Sequence, residues 1–242
     1  MRIYQHLALG AFHPVFCEDF CVNYELGDNW IVLAVLDGCS AGTDSHFAAT
    51  LLGKIISKVS RQAPYWGMQD RKLELSRTNS KILGTHFVKA VFKELCFVKQ
   101  QLFLSVEELL STCLLALYHQ KQKDAWINSS GDGVFVINDE CYVLDQDDKP
   151  NYMVYHCNKS PNQWLEEQTI SYHFETVHNL ALSTDGILSF EENFKINPLD
   201  YLLKDTRDTQ YSTMLQKKCR ILGLDYHLQP NDDLGIIRLW NP

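Results

Sequence analysis

Three acidic groups in this chain stand where apolar strands end. The run Ile31-Val32-Leu33-Ala34-Val35-Leu36 stops at Asp37-Gly38. Leu180-Ala181-Leu182-Ser183-Thr184 stops at Asp185-Gly186, and Asn231-Asp232-Asp233 opens the run Leu234-Gly235-Ile236-Ile237-Arg238-Leu239. A segment apolar at every position reads as a strand buried on both faces. A carboxylate where such a strand leaves the core is held rigidly, and a glycine beside it lets the backbone carbonyl turn towards the same ligand. If the three strands are neighbours their carboxylates converge, and converging carboxylates stay ionised only with a cation between them. Carboxylates, a carbonyl and water make a hard oxygen set suited to Mg2+ or Mn2+. Two such ions, roughly 3.5–4 Å apart, can activate a water and clamp a phosphoryl group.

Each motif also has a plainer reading. An Asp-Gly after a strand is usually a turn, and Glu18-Asp19 alone is a solvated strand start. Gly131-Asp132-Gly133 sits where a hairpin needs positive φ. Asp145, Asp147 and Asp148 form an acidic loop. The nine histidines include no HxH or HxxxH pair, which argues against zinc. Cys39 has no basic residue beside it to activate a thiolate and reads as a spectator.

The elements that must position these groups follow from periodicity. Residues 2–9 form a first strand. Phe20–Tyr24 and Trp30–Leu36 flank the turn Leu26-Gly27-Asp28-Asn29, so they pair as a hairpin that sets Glu18-Asp19 beside Asp37. Helices are expected over 43–60 and 79–99, with a loop between them. Strands follow at 111–118, 124–129, 134–137 and 141–144. Residues 145–168, with Pro150 and Pro161, read as an irregular surface excursion. Strands at 169–177 and 179–184, helices at 187–204 and 208–222 and a strand at 234–240 complete the chain. Two consecutive helices between strands suit helical layers packed on antiparallel sheets.

Composition narrows the function classes. The 242 residues are 45% hydrophobic with a formal charge of -8, which suits one globular domain and argues against a nucleic-acid backbone as partner. No apolar run approaches the roughly 18 residues of a membrane span. The N-terminus lacks the pattern of a signal peptide. Eight scattered cysteines without a C-x-x-C pair read as reduced thiols of a cytoplasmic protein.

Taken in order, Glu18-Asp19, Asp37-Gly38, Ser111-Thr112, Gly131-Asp132-Gly133, Ser183-Thr184-Asp185-Gly186 and Asp232-Asp233 resemble the metal-dependent protein phosphatases of type 2C, above all their compact bacterial branch. The resemblance runs from about Leu7 to Leu239. It implies an α+β fold, a four-layer α-β-β-α sandwich with two mainly antiparallel sheets, in a single domain over 1–242; the position of 145–168 makes that excursion a candidate substrate-facing flap. It implies a monomer that hydrolyses phosphoserine and phosphothreonine in proteins through a water activated by two Mn2+ or Mg2+ ions. Carried across, Asp37 bridges both ions, the Gly38 carbonyl and Glu18 serve one, and Asp185 and Asp232 serve the other. Asp19 and Asp233 support these ligands from behind, and Glu107 or Glu108 could serve a third ion. The family's phosphate-gripping Arg, four residues before the Glu, is Pro14 here, which leaves His13 as the phosphate contact. The glycine-rich turn reads Asp37-Gly38-Cys39-Ser40-Ala41, and Val134 replaces an Arg after the Gly-Asp turn. These departures keep two other readings open: a pseudophosphatase serving as a regulatory or binding module, and a phosphatase for a small phosphorylated molecule.

Overall fold

A computed structural model describes residues 1–13, 15–146 and 150–242. Pro14, and Asp147 and Asp148 of the acidic loop, lie outside the described residues. The chain runs β1 (Arg2–Ala8), β2 (Asp19–Gly27), β3 (Trp30–Asp37), α1 (Ser45–Gln62), α2 (Ser80–Gln101), β4 (Cys113–His119), β5 (Asp124–Ser130), β6 (Gly133–Ile137), β7 (Glu140–Leu144), α3 (Pro161–Gln168), β8 (Ile170–Phe174), β9 (Asn179–Ser183), α4 (Met214–Tyr226) and β10 (Leu234–Trp240).

Alternation along the apolar strands decides which layer each residue joins. In β3, Val32, Ala34 and Leu36 pack against Ala49, Leu52, Ile55 and Ile56 of α1 and Phe87, Val91 and Leu95 of α2. The alternate residues Ile31, Leu33 and Val35 face Leu180, Leu182, Ile237 and Leu239 of the other sheet. Beyond that sheet, Ala181, Leu234 and Ile236 pack on Met214, Leu215 and Leu222 of α4. A strand buried on both faces must be apolar throughout, which is the pattern that marked β3 in the sequence.

The sheets have strand orders β1-β10-β9-β6-β7 and β2-β3-β4-β5-β8, and every strand pair is antiparallel. The fold is therefore the expected α+β sandwich: helices, sheet, sheet, helix. The expected neighbourhood of strands holds in two parts. β9 and β10 lie side by side in one sheet, and β3 reaches the same end from the other.

Four local expectations need correction. The excursion at 145–168 is helical in part, with a 3-10 turn at Met153–His156 and then α3. Trp164 of α3 is fully buried and stacks on Phe92 of α2 at 4.4 Å. The helix expected over 187–204 is only a 3-10 turn at Asp185–Leu188 and a π-helical turn at Asp200–Lys204. Pro198 removes a donor and biases Asn197 away from helical backbone. The helix expected over 208–222 begins later, at Met214, and runs on to Tyr226. Finally, Cys96 of α2 and Cys157 are joined in a disulfide, their Cα atoms 5.3 Å apart, so the expectation of eight reduced thiols fails at that pair.

Candidate metal centre

The β2–β3 hairpin places Asp19 directly opposite Asp37. The backbone of Asp37 is fixed from the residue before β4: its N–H donates to Thr112 Oγ1 at 3.1 Å, and the Thr112 N–H donates to the Asp37 carbonyl at 2.8 Å. Gly38 then passes so close to α1 that an added Cβ would lie 2.0 Å from the Ser45 carbonyl oxygen. Only glycine permits that approach.

The second sheet meets this hairpin through Thr184. Its hydroxyl donates to Asp19 Oδ2 at 2.7 Å and accepts the Gly235 N–H at 2.9 Å, joining the ends of β2, β9 and β10. Gly186 crosses Asp233 so tightly that a Cβ there would lie 1.8 Å from the Asp233 carbonyl oxygen.

Acidic groups from both sheets thereby share one end of the molecule. Burial first, and then the charges of Asp19, Asp185, Asp232 and Asp132, push the Asp37 carboxyl well above the usual range. Burial likewise lifts Asp19 to about 7; Asp233 and Asp185 add to the lift, while bonds to Thr184 and Asp37 oppose it. Asp19 Oδ1 is buried with no hydrogen-bond donor. The predicted Asp185 and Asp232 thus both lie within electrostatic reach of Asp37. Asp132, read as a turn residue, joins them; the glycines on either side, with φ of +97° and +139°, bend the β5–β6 turn there.

Other predicted residues take different places. The Glu18 carboxylate accepts from Ser40 Oγ at 2.6 Å and Ser45 Oγ at 2.5 Å, at the rim of the aspartates. Asp233 organises the loop before β2: it accepts the N–H of Gly10 at 2.7 Å and of Glu18 at 2.5 Å, and meets His13 Nδ1 at 2.9 Å. The other His13 nitrogen lies 3.2 Å from Asp232. Burial lowers the His13 pKa, but the Asp233 bond and the charges of Asp233, Asp232 and Glu18 outweigh it and raise it overall. Glu108 accepts the Ser105 N–H at 2.8 Å, and Glu107 is exposed. Tyr152, within the excursion, lies beside Cys39, and its hydroxyl pKa is raised, first by burial and then by that neighbour. Sequence reasoning missed Tyr152, Ser40 and Ser45, which carry no signal beyond small or aromatic residues in turns.

Among the described residues, no three His, Cys, Asp or Glu side chains close on one point as a metal ion requires. The chemistry of the set nevertheless fits divalent cations. The donors are all oxygen, the buried Asp19 carboxyl lies opposite the half-buried Asp37, and one buried carboxylate oxygen has no donor.

No curated protein matches the chain significantly. Solved structures do. A bacterial serine phosphatase superposes with a TM-score of 0.60 at 15% identity, covering 100% of this chain and 98% of that one. The serine/threonine phosphatase Stp1 from Staphylococcus aureus gives 0.60 at 15% identity, covering 98% and 94%. RsbX, solved in complex with magnesium, gives 0.55 at 12% identity, covering 98% and 92%. At these identities the likeness establishes the shared fold. A family model described as Protein phosphatase 2C matches residues 13–218, which takes in the Asp19–Asp37 hairpin, the β5–β6 turn and the Asp185 strand end. Sequence motif, fold and family model agree, and the chain belongs to the protein phosphatase 2C family.

Proposed function

We propose that this protein is a metal-dependent serine/threonine protein phosphatase that uses Mn2+ or Mg2+. The observation that carries the reading is the gathering of Asp19, Asp132, Asp185 and Asp232 from both sheets around the half-buried Asp37. That many carboxylates in a poorly solvated space call for cations. Asp37 would hold both ions, Asp185 and Asp232 one of them, and the Gly38 carbonyl and Glu18 the other. When bound, the cations acidify a water and polarise the phosphoryl oxygens.

The chain's own residues do the positioning. Asp19 takes the Thr184 hydroxyl and sits against Asp37, fixing the carboxyl that would hold the ions. Ser40 and Ser45 hold Glu18. Asp233 fixes His13 beside a cavity of about 520 Å³, lined also by Glu18, Ser40, Ser45 and His46, which would receive the phosphorylated side chain. Tyr152 brings the excursion to the rim at Cys39, which supports 145–168 as the substrate-facing flap.

Substrate is a phosphorylated protein, bound by a monomeric, single-domain enzyme in the cytoplasm. No helix among the described residues is long and apolar enough to cross a membrane. Hydrolysis of p-nitrophenyl phosphate with Mn2+, with Mg2+ and with EDTA tests the enzyme claim. Folded protein with no metal-dependent rate would remove it. A panel of phosphopeptides against small phosphate esters tests the substrate class.

One observation favours a second reading. Both His13 nitrogens face Asp232 and Asp233, so His13 is committed to carboxylates where the family has a phosphate-gripping Arg. A pseudophosphatase would bind Mn2+ and gain thermal stability from it, yet show no turnover.

A further inference from the structure

The chain is acidic overall, yet residues 71–93 carry six Lys and Arg against the single acid Glu74. Glu74 is occupied by Arg77 at 3.4 Å and by Ser76. Four of the cations, Lys72, Lys81, Lys89 and Lys93, have no carboxylate at ion-pair distance among the described residues. Three of them line a cavity of about 370 Å³ together with Leu73, Ile82 and His86. Asp70, also on its rim, is turned to the Lys72 backbone N–H at 2.9 Å. The local field is positive enough that Lys93 and Lys89 add to burial in lowering the His86 pKa.

This arrangement opposes local stability. Lys89 and Lys93 are four apart on α2, where like charges repel. Among the described residues neither has an ion-pair partner, whereas Lys58, on the neighbouring helix, is paired with Glu94. The groove also lies away from the metal centre. Trp30, at the start of β3, donates to the Leu75 carbonyl beside it at 2.8 Å, while Asp37 ends the same strand about 23 Å further on, at roughly 3.3 Å per residue.

We propose that this groove docks an acidic polypeptide segment, seating an aliphatic or aromatic side chain on Leu73 and Ile82 and setting Asp or Glu side chains against Lys72, Lys81 and Lys89. Charge complementarity selects an acidic occupant. The spread of the lysines selects a chain over a small anion: Lys81 to Lys89 spans about 12 Å along the helix at 1.5 Å per residue, with Lys72 beyond them on the groove wall. An extended segment of about four residues covers that distance. The inference stands independently of the hydrolase reading, since it concerns a surface remote from the aspartates.

The test uses the full chain and a fluorescein-labelled decapeptide of Glu and Asp around a central Leu-Phe pair, followed by fluorescence anisotropy at low salt. Wild type binds it, and binds a Lys-substituted counterpart at least about tenfold more weakly. Lys81→Glu/Lys89→Glu weakens binding at least about tenfold, and Lys81→Gln/Lys89→Gln weakens it in the same direction by less. Lys54→Glu/Lys195→Glu makes the same change in net charge elsewhere and alters binding less than about twofold. No peptide binding by wild type, or equal loss in the two Glu double variants, overturns the proposal. So does binding to phosphatidylserine vesicles that depends on Lys81 and Lys89 without peptide binding.

Discussion

Replacing Asp19 by Asn should make the metal-free protein more stable while impairing its activity. Asp19 is 4% exposed, and its carboxyl is lifted from 3.8 to about 7, chiefly by burial. Because the folded state holds that proton more tightly than the unfolded chain, folding stability falls as pH rises from about 4 to about 7. A lift of about three units corresponds to about 4 kcal/mol above pH 7, at 1.36 kcal/mol per unit. The penalty is shared with Asp37, so a single substitution should recover about 2 kcal/mol of it. In the variant, the Asn carbonyl still accepts the Thr184 hydroxyl, and its amide can donate to Asp37. For a domain of this length, 2 kcal/mol raises Tm by about 4–8 °C. Circular-dichroism melts in EDTA, from pH 4.5 to 8.5, read the effect. The variant should melt higher than wild type at pH 8, converge with it near pH 4, and gain less from added Mn2+. Equal melting temperatures across the range, or a variant less stable at pH 8, would refute the electrostatic account of this centre.

Three further outcomes follow from particular contacts. Asp37→Asn and Asp185→Asn should each cut Mn2+-dependent phosphatase turnover by at least about a hundredfold, with far-UV circular dichroism unchanged; full activity in either removes that residue from the ligand set. Gly186→Ala, whose Cβ would meet the Asp233 carbonyl at 1.8 Å, should cost about 1–3 kcal/mol in urea unfolding and weaken Mn2+ binding in parallel. Trp164→Ala removes a fully buried ring stacked on Phe92 and should cost about 3–5 kcal/mol in the same assay.

How legible the chain was depended on how each element is stabilised. β3 announces itself because both of its faces meet core, and the short turn after β2 fixes its partner, so the pairing of Asp19 with Asp37 could be read directly. The convergence of Asp185 and Asp232 with them could be anticipated only as a condition on strand neighbourhood, since sequence does not say which sheet a strand joins. α3 escaped notice because one side chain, Trp164, anchors it. Its signals were present all the same. Ser160 caps it, accepting the Gln163 N–H at 3.2 Å, and Pro161 stands at its first turn, where proline starts a helix rather than breaking one. The Cys96–Cys157 pair is separated by 61 residues, so no spacing rule could have found it. At 187–204 apolar residues suggested a helix, but Pro198 and contacts to the neighbouring sheet prevail. There Arg238 of β10 donates to the carbonyls of Leu202, Lys204 and Asp205 and organises the final turn. Glu18 carries the family motif yet leans on Ser40 and Ser45, an orientation set by loop packing that no local pattern encodes.

Thr184 ties Asp19 to Gly235 across the gap between the two sheets, and the aspartates around it come from both. A cation lodged there would act as a rivet between two plates. Wear in the layer between the plates, for instance from a truncated Phe135 or Leu182, would let them slip by fractions of an ångström. That slip would show as loosened ion retention well before the protein melts.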